Sequence, residues 1–317
     1  MKTALVCGAG GFIGSHLIRR LKKEGYFVVA ASSDYPKYSR SVADRYFLSD
    51  LTNSNFFNSV VNGKFDEIYQ LAAKVGGANY VFSGKHDADM YDSTEINILT
   101  CKIAVNCGAK VFFPSSACVY PNTIFDTKEE DAYPAMPNSE YGWEKLISER
   151  LYSAYHENYG LDVRIARLNN IFGEESAYEG DKAQGVMVFC RKIAELKDGD
   201  EIEIWGDGEQ TRSFLYIDEC IEGIRRLMES DYTSPVNLGS SKMISINNLV
   251  KLIAEIAGKK IKIKHITGNI GTKGRNSNNK LILEKLGWQP TEDIRIGLEK
   301  TYNWVLNECN NRNTKLQ

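Results

Sequence analysis

Thr3-Ala4-Leu5-Val6-Cys7-Gly8-Ala9-Gly10-Gly11-Phe12-Ile13-Gly14 opens the chain almost at once, and its reading decides the fold. A short apolar run meets a glycine-rich turn, and Leu17, Ile18 and Leu21 then recur at helical spacing up to Lys23. The pattern predicts strand, tight turn and helix. Glycines at 8, 11 and 14 let the backbone turn sharply and bring a helix N-terminus close to a bound anion. A second apolar run, Phe27 to Ala31, ends in Ser32-Ser33-Asp34 and completes a βαβ unit.

The alternation continues outward. Strand-like Arg45–Leu48, Glu67–Leu71, Lys110–Pro114 and Asp162–Arg167 are separated by helical patterns near 54–62, 91–107 and 141–159. Short, nearly all-apolar strands between helices imply a parallel sheet covered on both faces. After Asn170 come a glycine- and charge-containing stretch at 173–185, a helix near 186–197, a strand at Glu201–Trp205 and a turn at Gly206-Asp207-Gly208. A helix at 214–230, a core strand at Val236–Leu238, a helix at 245–257 and a half-exposed strand at Lys260–Ile266 follow, with a polar tail from Asn310 to Gln317 expected to fray. The fold class expected is α/β: a Rossmann-type doubly wound parallel sheet with a smaller α/β C-terminal substrate domain. Residues 1–167 form the dinucleotide-binding part, 168–212 the first substrate segment, 213–243 a returning Rossmann segment and 244–317 the second substrate segment.

The chain has 317 residues, 43% hydrophobic and 25% charged, with a formal net charge of −2. That balance excludes wholesale disorder and the basic footprint of a nucleic-acid binder. No run approaches the roughly 18 apolar residues of a membrane span. Seven cysteines without a CxxC pair and four scattered histidines supply neither a disulfide framework nor a metal-ligand spacing, so a reducing cytoplasm and no metal are expected.

Asp34, twenty residues after Gly14 at the end of the second strand, fits the acid that accepts hydrogen bonds from an adenosine ribose. It favours NAD over NADP, although Lys37 and Arg40 just beyond could reverse that preference. Tyr141 and Lys145 lie four apart on a predicted helix and project from one face. An ammonium there would lower the tyrosine pKa and let the phenolate act as a base on a sugar hydroxyl. Pro114-Ser115-Ser116-Ala117-Cys118 places a hydroxyl and a thiol at a strand's C-terminal end, where open α/β sheets bind ligands. Taken alone, a cysteine such as Cys118 is more often a small buried hydrophobe than a reagent.

Together GxxGxxG, Ser116, Tyr141 and Lys145 resemble the extended short-chain dehydrogenases/reductases that act on nucleotide sugars. Leu71-Ala72-Ala73 with Gly76-Gly77, Ser115 to Pro121, Tyr141 to Lys145, Arg167 to Gly173, Phe189-Cys190-Arg191-Lys192, Trp205 to Phe214, Ile217 to Cys220 and Gly274 to Ser277 extend the resemblance along nearly the whole chain. Within that superfamily they are most similar to the GDP-mannose 3,5-epimerases and more distantly to the GDP-fucose synthases.

The resemblance implies bound NAD and a nucleotide-diphosphate sugar, with a GDP-sugar favoured. Tyr141, aided by Ser116 and Lys145, would take the sugar O4 proton. Cys118 would work at carbon from one face, and an acid would answer from the other. For that acid the chain offers Gln184 by ungapped count from Phe189, or Lys182 with a two-residue shift; Lys182 is favoured because glutamine transfers no proton. Cofactor contacts are implied at Gly8, Gly11, Phe12, Ile13, Gly14, Asp34, Leu51, Leu71, Ala72, Ala73, Tyr141 and Lys145. Asp50 reads either as an adenine contact or as a helix cap. Substrate contacts are implied at Gly76, Gly77, Ser116, Cys118, Asn170, Lys192, Gln210, Arg212 and Arg275. A homodimer built through the helices at 91–107 and 141–159 is implied as well. The competing readings are a 4-keto-sugar epimerase/reductase consuming NADPH, a C4 epimerase needing Tyr141 but not Cys118, and a silent dinucleotide-binding sensor.

Overall fold

The structure is a computed structural model and describes residues 1–56, 64–268 and 273–315. Its centre is a parallel sheet built from β1 (Thr3–Cys7), β2 (Phe27–Ser32), β3 (Arg45–Leu48), β4 (Glu67–Gln70), β5 (Lys110–Ser116), β7 (Val163–Leu168) and β12 (Val236–Leu238). The two-residue strand β6 (Asp126–Thr127) lies elsewhere. The seven strands run in the order β12-β7-β5-β4-β1-β2-β3. The chain therefore leaves β1 toward β2 and β3, then returns to the other side of β1 at β4. Cys7 and Gln70, the last residues of β1 and β4, stand side by side in register. A crevice opens at such a reversal, beyond the carboxyl ends of the strands.

Helices cover both faces, as the apolar strands require. On one side α1 (Phe12–Lys23) contributes Leu17, Ile18 and Leu21, beside Cys220, Ile221 and Ile224 of the later helix Ile217–Glu229. On the other, α2 (Asp92–Cys107) and α3 (Glu140–Tyr159) bury Ile96, Cys101, Ala104 and Tyr152 against Leu5, Val111, Phe113 and Ile165. Of the helix expected over 54–62, residues 54–56 are helical and the remainder lies outside the described residues.

Beyond β7 the chain forms β8 (Ile171–Phe172), α4 (Gly185–Glu195), β9 (Glu201–Trp205), β10 (Thr211–Ser213), β11 (Leu215–Tyr216) and α5 (Ile217–Glu229). After β12 come β13 (Met243–Ser245), α6 (Ile246–Ile256), β14 (Lys262–Ile266), β15 (Gly274–Ser277), α7 (Lys280–Leu286) and α8 (Ile294–Lys315). A four-stranded sheet in the order β13-β10-β15-β6 draws its strands from both halves of the chain. The tail corrects one expectation: α8 continues to Lys315 instead of fraying from Asn310. Cys309 is buried on it, and Arg312 forms an ion pair with Glu179, so the last turns have partners that the local sequence does not announce.

Candidate active site

The Gly8–Gly14 turn is shaped by close approach. Gly8 has φ of +76°, and a Cβ there would lie 2.6 Å from the Ala72 nitrogen. At Gly10 it would meet the Asp34 carbonyl oxygen at 2.3 Å, and at Gly14 the Gly8 carbonyl oxygen at 2.4 Å. The turn is thus pressed against the ends of both β2 and β4, which only residues without a Cβ permit. Gly11 caps α1 without a side-chain hydrogen bond, leaving Phe12 and Ile13 to present amides of the first turn. Asp34 sits exposed beside this cradle with its carboxylate accepting from the Ser33 hydroxyl at 2.9 Å.

Asp50 is engaged locally. Its Oδ1 accepts from the Thr52 amide at 3.0 Å and the Thr52 hydroxyl at 2.9 Å, and these bonds hold its carboxyl below the ordinary value. Leu51 beside it is buried. These bonds close a local turn; the helical residues begin at 54, after Asn53, whose Oδ1 accepts from the Asn55 amide at 2.9 Å.

The phenol and the thiol meet at the start of α3. Ser139 caps that helix by accepting from the Gly142 amide at 3.2 Å. Ser116, at the end of β5, accepts from the Cys118 amide at 3.1 Å and so folds the loop that carries the thiol. The two pieces touch through Gly142: a Cβ there would lie 2.3 Å from the Cys118 carbonyl oxygen. Tyr141, the neighbour of Gly142, is thereby set against Ser116 and Cys118. Spacing arguments pick out Tyr141 and Lys145 but pass over Gly142, whose signal is a glycine in the first turn of a long helix.

Electrostatics depart from the expectation for Tyr141. Burial pushes its phenol well above the ordinary tyrosine value; Cys118 and Glu144 add to the rise, and a hydrogen bond with Ser116 opposes it. Lys145 does not reverse this. Its ammonium lies 5.7 Å from the Tyr141 ring centroid, and it is paired with Glu144 at 3.6 Å.

Gly76 and Gly77 approach the segment that leads into α4. A Cβ on Gly77 would lie 2.2 Å from the Ala183 carbonyl oxygen, and one on Gly76 would lie 3.2 Å from the Lys182 Cα. Lys182 therefore adjoins the glycine loop with its Nζ 6.0 Å from the Tyr80 ring centroid. Gln184 instead occupies the N-cap of α4.

Parallel pairing of β10 with β15 sets Arg212 directly across from Arg275. Desolvation, reinforced by Arg275, lowers Arg212 to about 10. Arg275 donates to the Asn122 side chain at 2.6 Å, yet among the described residues its buried Nε has no partner. Two cations in register with a buried donor to spare are chemically suited to an anion. The buried Oε1 of Gln210 is likewise without a partner among the described residues. Asn170 adopts φ of 48° at the end of β7 and donates to the Ser213 carbonyl at 2.9 Å, joining β7 to β10. Lys192 lies on α4.

Residues 4–239 match the NAD dependent epimerase/dehydratase family. The chain belongs to that family. Among its curated relatives is GDP-mannose 3,5-epimerase 1 of Oryza sativa subsp. japonica, 40% identical over 98% of this chain and 83% of the relative. GDP-mannose 3,5-epimerase of Arabidopsis thaliana is likewise 40% identical, over 98% of this chain and 84% of its own. In fold the chain is similar to a UDP-glucose 4-epimerase with UDP-glucose from Thermotoga maritima, at a TM-score of 0.86 and 24% identity over 97% of this chain and 99% of that one. The family's NAD dependence agrees with the turn at Gly8–Gly14, whose glycines let it press against the ends of β2 and β4 before α1. No helix among the described residues is long and apolar enough to cross a membrane, and no cluster of candidate metal ligands occurs among them.

Proposed function

We propose that this family member is a GDP-mannose 3,5-epimerase, giving GDP-L-galactose, GDP-L-gulose or both. The observation that carries the reading is the junction at Gly142, where the first turn of α3 packs on the Cys118 backbone and the Tyr141 phenol interacts with Ser116 and the Cys118 thiol. A simple alcohol oxidation needs the phenol alone. A carbon acid-base step beside a carbonyl gives the thiol a task.

Gly8, Gly11, Phe12, Ile13, Gly14 and Asp34 would hold NAD, with Leu71, Ala72 and Ala73 forming the facing lip and Leu51 lining the adenine end. When bound, NAD supplies reversible hydride acceptance at sugar C4. Tyr141 takes the O4 proton and later returns it, with Ser116 holding the phenol in place. A carbonyl at C4 makes the hydrogens on C3 and C5 acidic. Cys118 removes a proton there through its sulfur. Lys182, beside the glycine loop, delivers a proton to the other face. Arg212, Arg275 and Lys192 bind the diphosphate, while Gly76, Gly77, Asn170 and Gln210 contact the sugar nucleotide.

Residues 1–167 with 213–243 act as the cofactor unit, and 168–212 with 244–317 as the substrate unit. The working form is a homodimer paired through α2 and α3. Exposed Trp143 and Ile147, one turn apart on α3, support that face.

The test is incubation with GDP-mannose in D2O without added cofactor. Deuterium at C3 and C5 of a galactose-like product is expected, or at C5 alone for a gulose-type product. NAD-loaded protein that leaves GDP-mannose unlabelled refutes the assignment.

A further inference from the structure

Glu144 stands inside the Tyr141–Lys145 motif without any role in the reading above, yet its side chain is 1% exposed. Its Oε2 lies 3.6 Å from the Lys145 ammonium, itself 3% exposed, and among the described residues it is the one carboxylate paired with that lysine. Two rings flank the ammonium, that of Phe113 at 4.9 Å and that of Tyr141 at 5.7 Å. Ring faces attract a cation but carry no charge to balance it. Removing one partner of a buried ion pair leaves the other uncompensated.

We propose that Glu144 is a positioning residue that seats Lys145 between Phe113 and Tyr141. This rests on the reading of Tyr141 as the group that takes the sugar proton.

The carboxylate is itself fixed from several directions. Its Oε1 accepts from Asn97 Nδ2 at 3.2 Å and from the Ser148 hydroxyl at 2.8 Å. Asn97 Oδ1 accepts in turn from Gln70 Nε2 at 3.0 Å and from the Tyr152 hydroxyl at 3.2 Å. Gln70 closes on the backbone of Ala72, donating to its carbonyl at 2.9 Å and accepting from its amide at 3.3 Å. One buried network thus joins the lip of the nucleotide crevice, through α2, to the carboxylate beside the lysine. Such a network is costly to leave half satisfied, so its geometry is firmly specified.

Tyr141 is faced by Ser116 and Cys118 from β5 and its following loop, and by Glu144 and Lys145 from its own helix. Glu144 is faced by Lys145, by Asn97 of α2, and by the Tyr91 and Tyr152 phenols. Without the carboxylate the lysine keeps its ring contacts but loses the buried partner that fixes where its ammonium sits beside Tyr141.

The experiment compares the full-length parent, Glu144→Gln and Glu144→Asp, with GDP-mannose in D2O and with NAD binding followed by protein fluorescence. For Glu144→Gln the expected loss in kcat is about tenfold or more, with KM for GDP-mannose little changed. Glu144→Asp restores most of the rate, and carries the test should the glutamine variant not fold. A Glu144→Gln rate within about twofold of the parent, or a loss carried by KM with kcat unchanged, overturns the proposal. NAD affinity, read without sugar, is expected to fall about tenfold in Glu144→Gln and to recover in Glu144→Asp, and an unchanged affinity overturns the proposal too. Should the parent leave GDP-mannose unlabelled, the substrate reading fails while the NAD measurement still decides the role of Glu144.

Discussion

Gly142→Ala is the sharpest perturbation available at the candidate site, because one methyl group is driven into backbone. The added Cβ would lie 2.3 Å from the Cys118 carbonyl oxygen and 2.9 Å from the Pro137 Cβ. A carbon–oxygen contact relaxes at about 3.3 Å, so the first turn of α3 and the Cys118 loop must part by about 1 Å. Misplacement by about 1 Å is worth roughly a hundredfold in rate, or about 2.7 kcal/mol of barrier. Stability responds less. Overpacking costs about 1–3 kcal/mol, offset by roughly 1 kcal/mol from replacing glycine inside a helix. The expected outcome is a hundredfold slower deuterium uptake at C3 and C5 from a protein that melts within a few degrees of the parent. Initial-rate labelling in D2O and a thermal melt with NAD present measure both. A variant labelling within about threefold of the parent would refute the claim that this junction sets the phenol against the thiol.

The other predictions address separate groups. Cys118→Ala should abolish deuterium uptake while NAD binding is unchanged, and retained labelling would remove the thiol from the reaction. Lys182→Gln should lose deuterium from one of the two carbons or stop turnover, whereas Gln184→Ala should keep both labels; the reverse pattern would transfer the acid role. Arg275→Gln should weaken GDP binding more than tenfold by calorimetry, with the ligand-free melting temperature shifted by about 2 °C or less, because the change removes a cation that already repels Arg212. Unaltered GDP affinity would move the diphosphate elsewhere.

Most of the central sheet was legible because its strands are short apolar runs between amphipathic helices. Arg45–Leu48, Glu201–Trp205 and Val236–Leu238 fall where the sequence places them. β10, β13 and β15 do not announce themselves: they are three or four residues long, and polar positions such as Arg212, Arg275 and Asn276 interrupt any alternation. They exist through pairing between distant segments, which a local pattern cannot encode. The site divides in the same way. Residue types with chemistry to do, such as Tyr141, Lys145 and Cys118, stand out by spacing and family likeness. Gly142 and Glu144 matter through what packs on them, and Asn97 and Gln70 only through hydrogen bonds across three elements. The lowered pKa expected for Tyr141 failed for a related reason: the phenol is buried, which spacing along the helix does not reveal.

The glycine pair at 76 and 77 has a bearing on how enzymes of this kind can diverge. At Gly77 the contact with residues 181–183 is made by main chain against main chain, while Gly76 also lies against the Tyr80 side chain. The gap between Gly77 and that segment is therefore set by atoms common to all amino acids. Any single substitution at either glycine adds volume, and none can trim it. A side chain at position 77 can widen that spacing but never narrow it, so new ligand preferences have to arise around the rim.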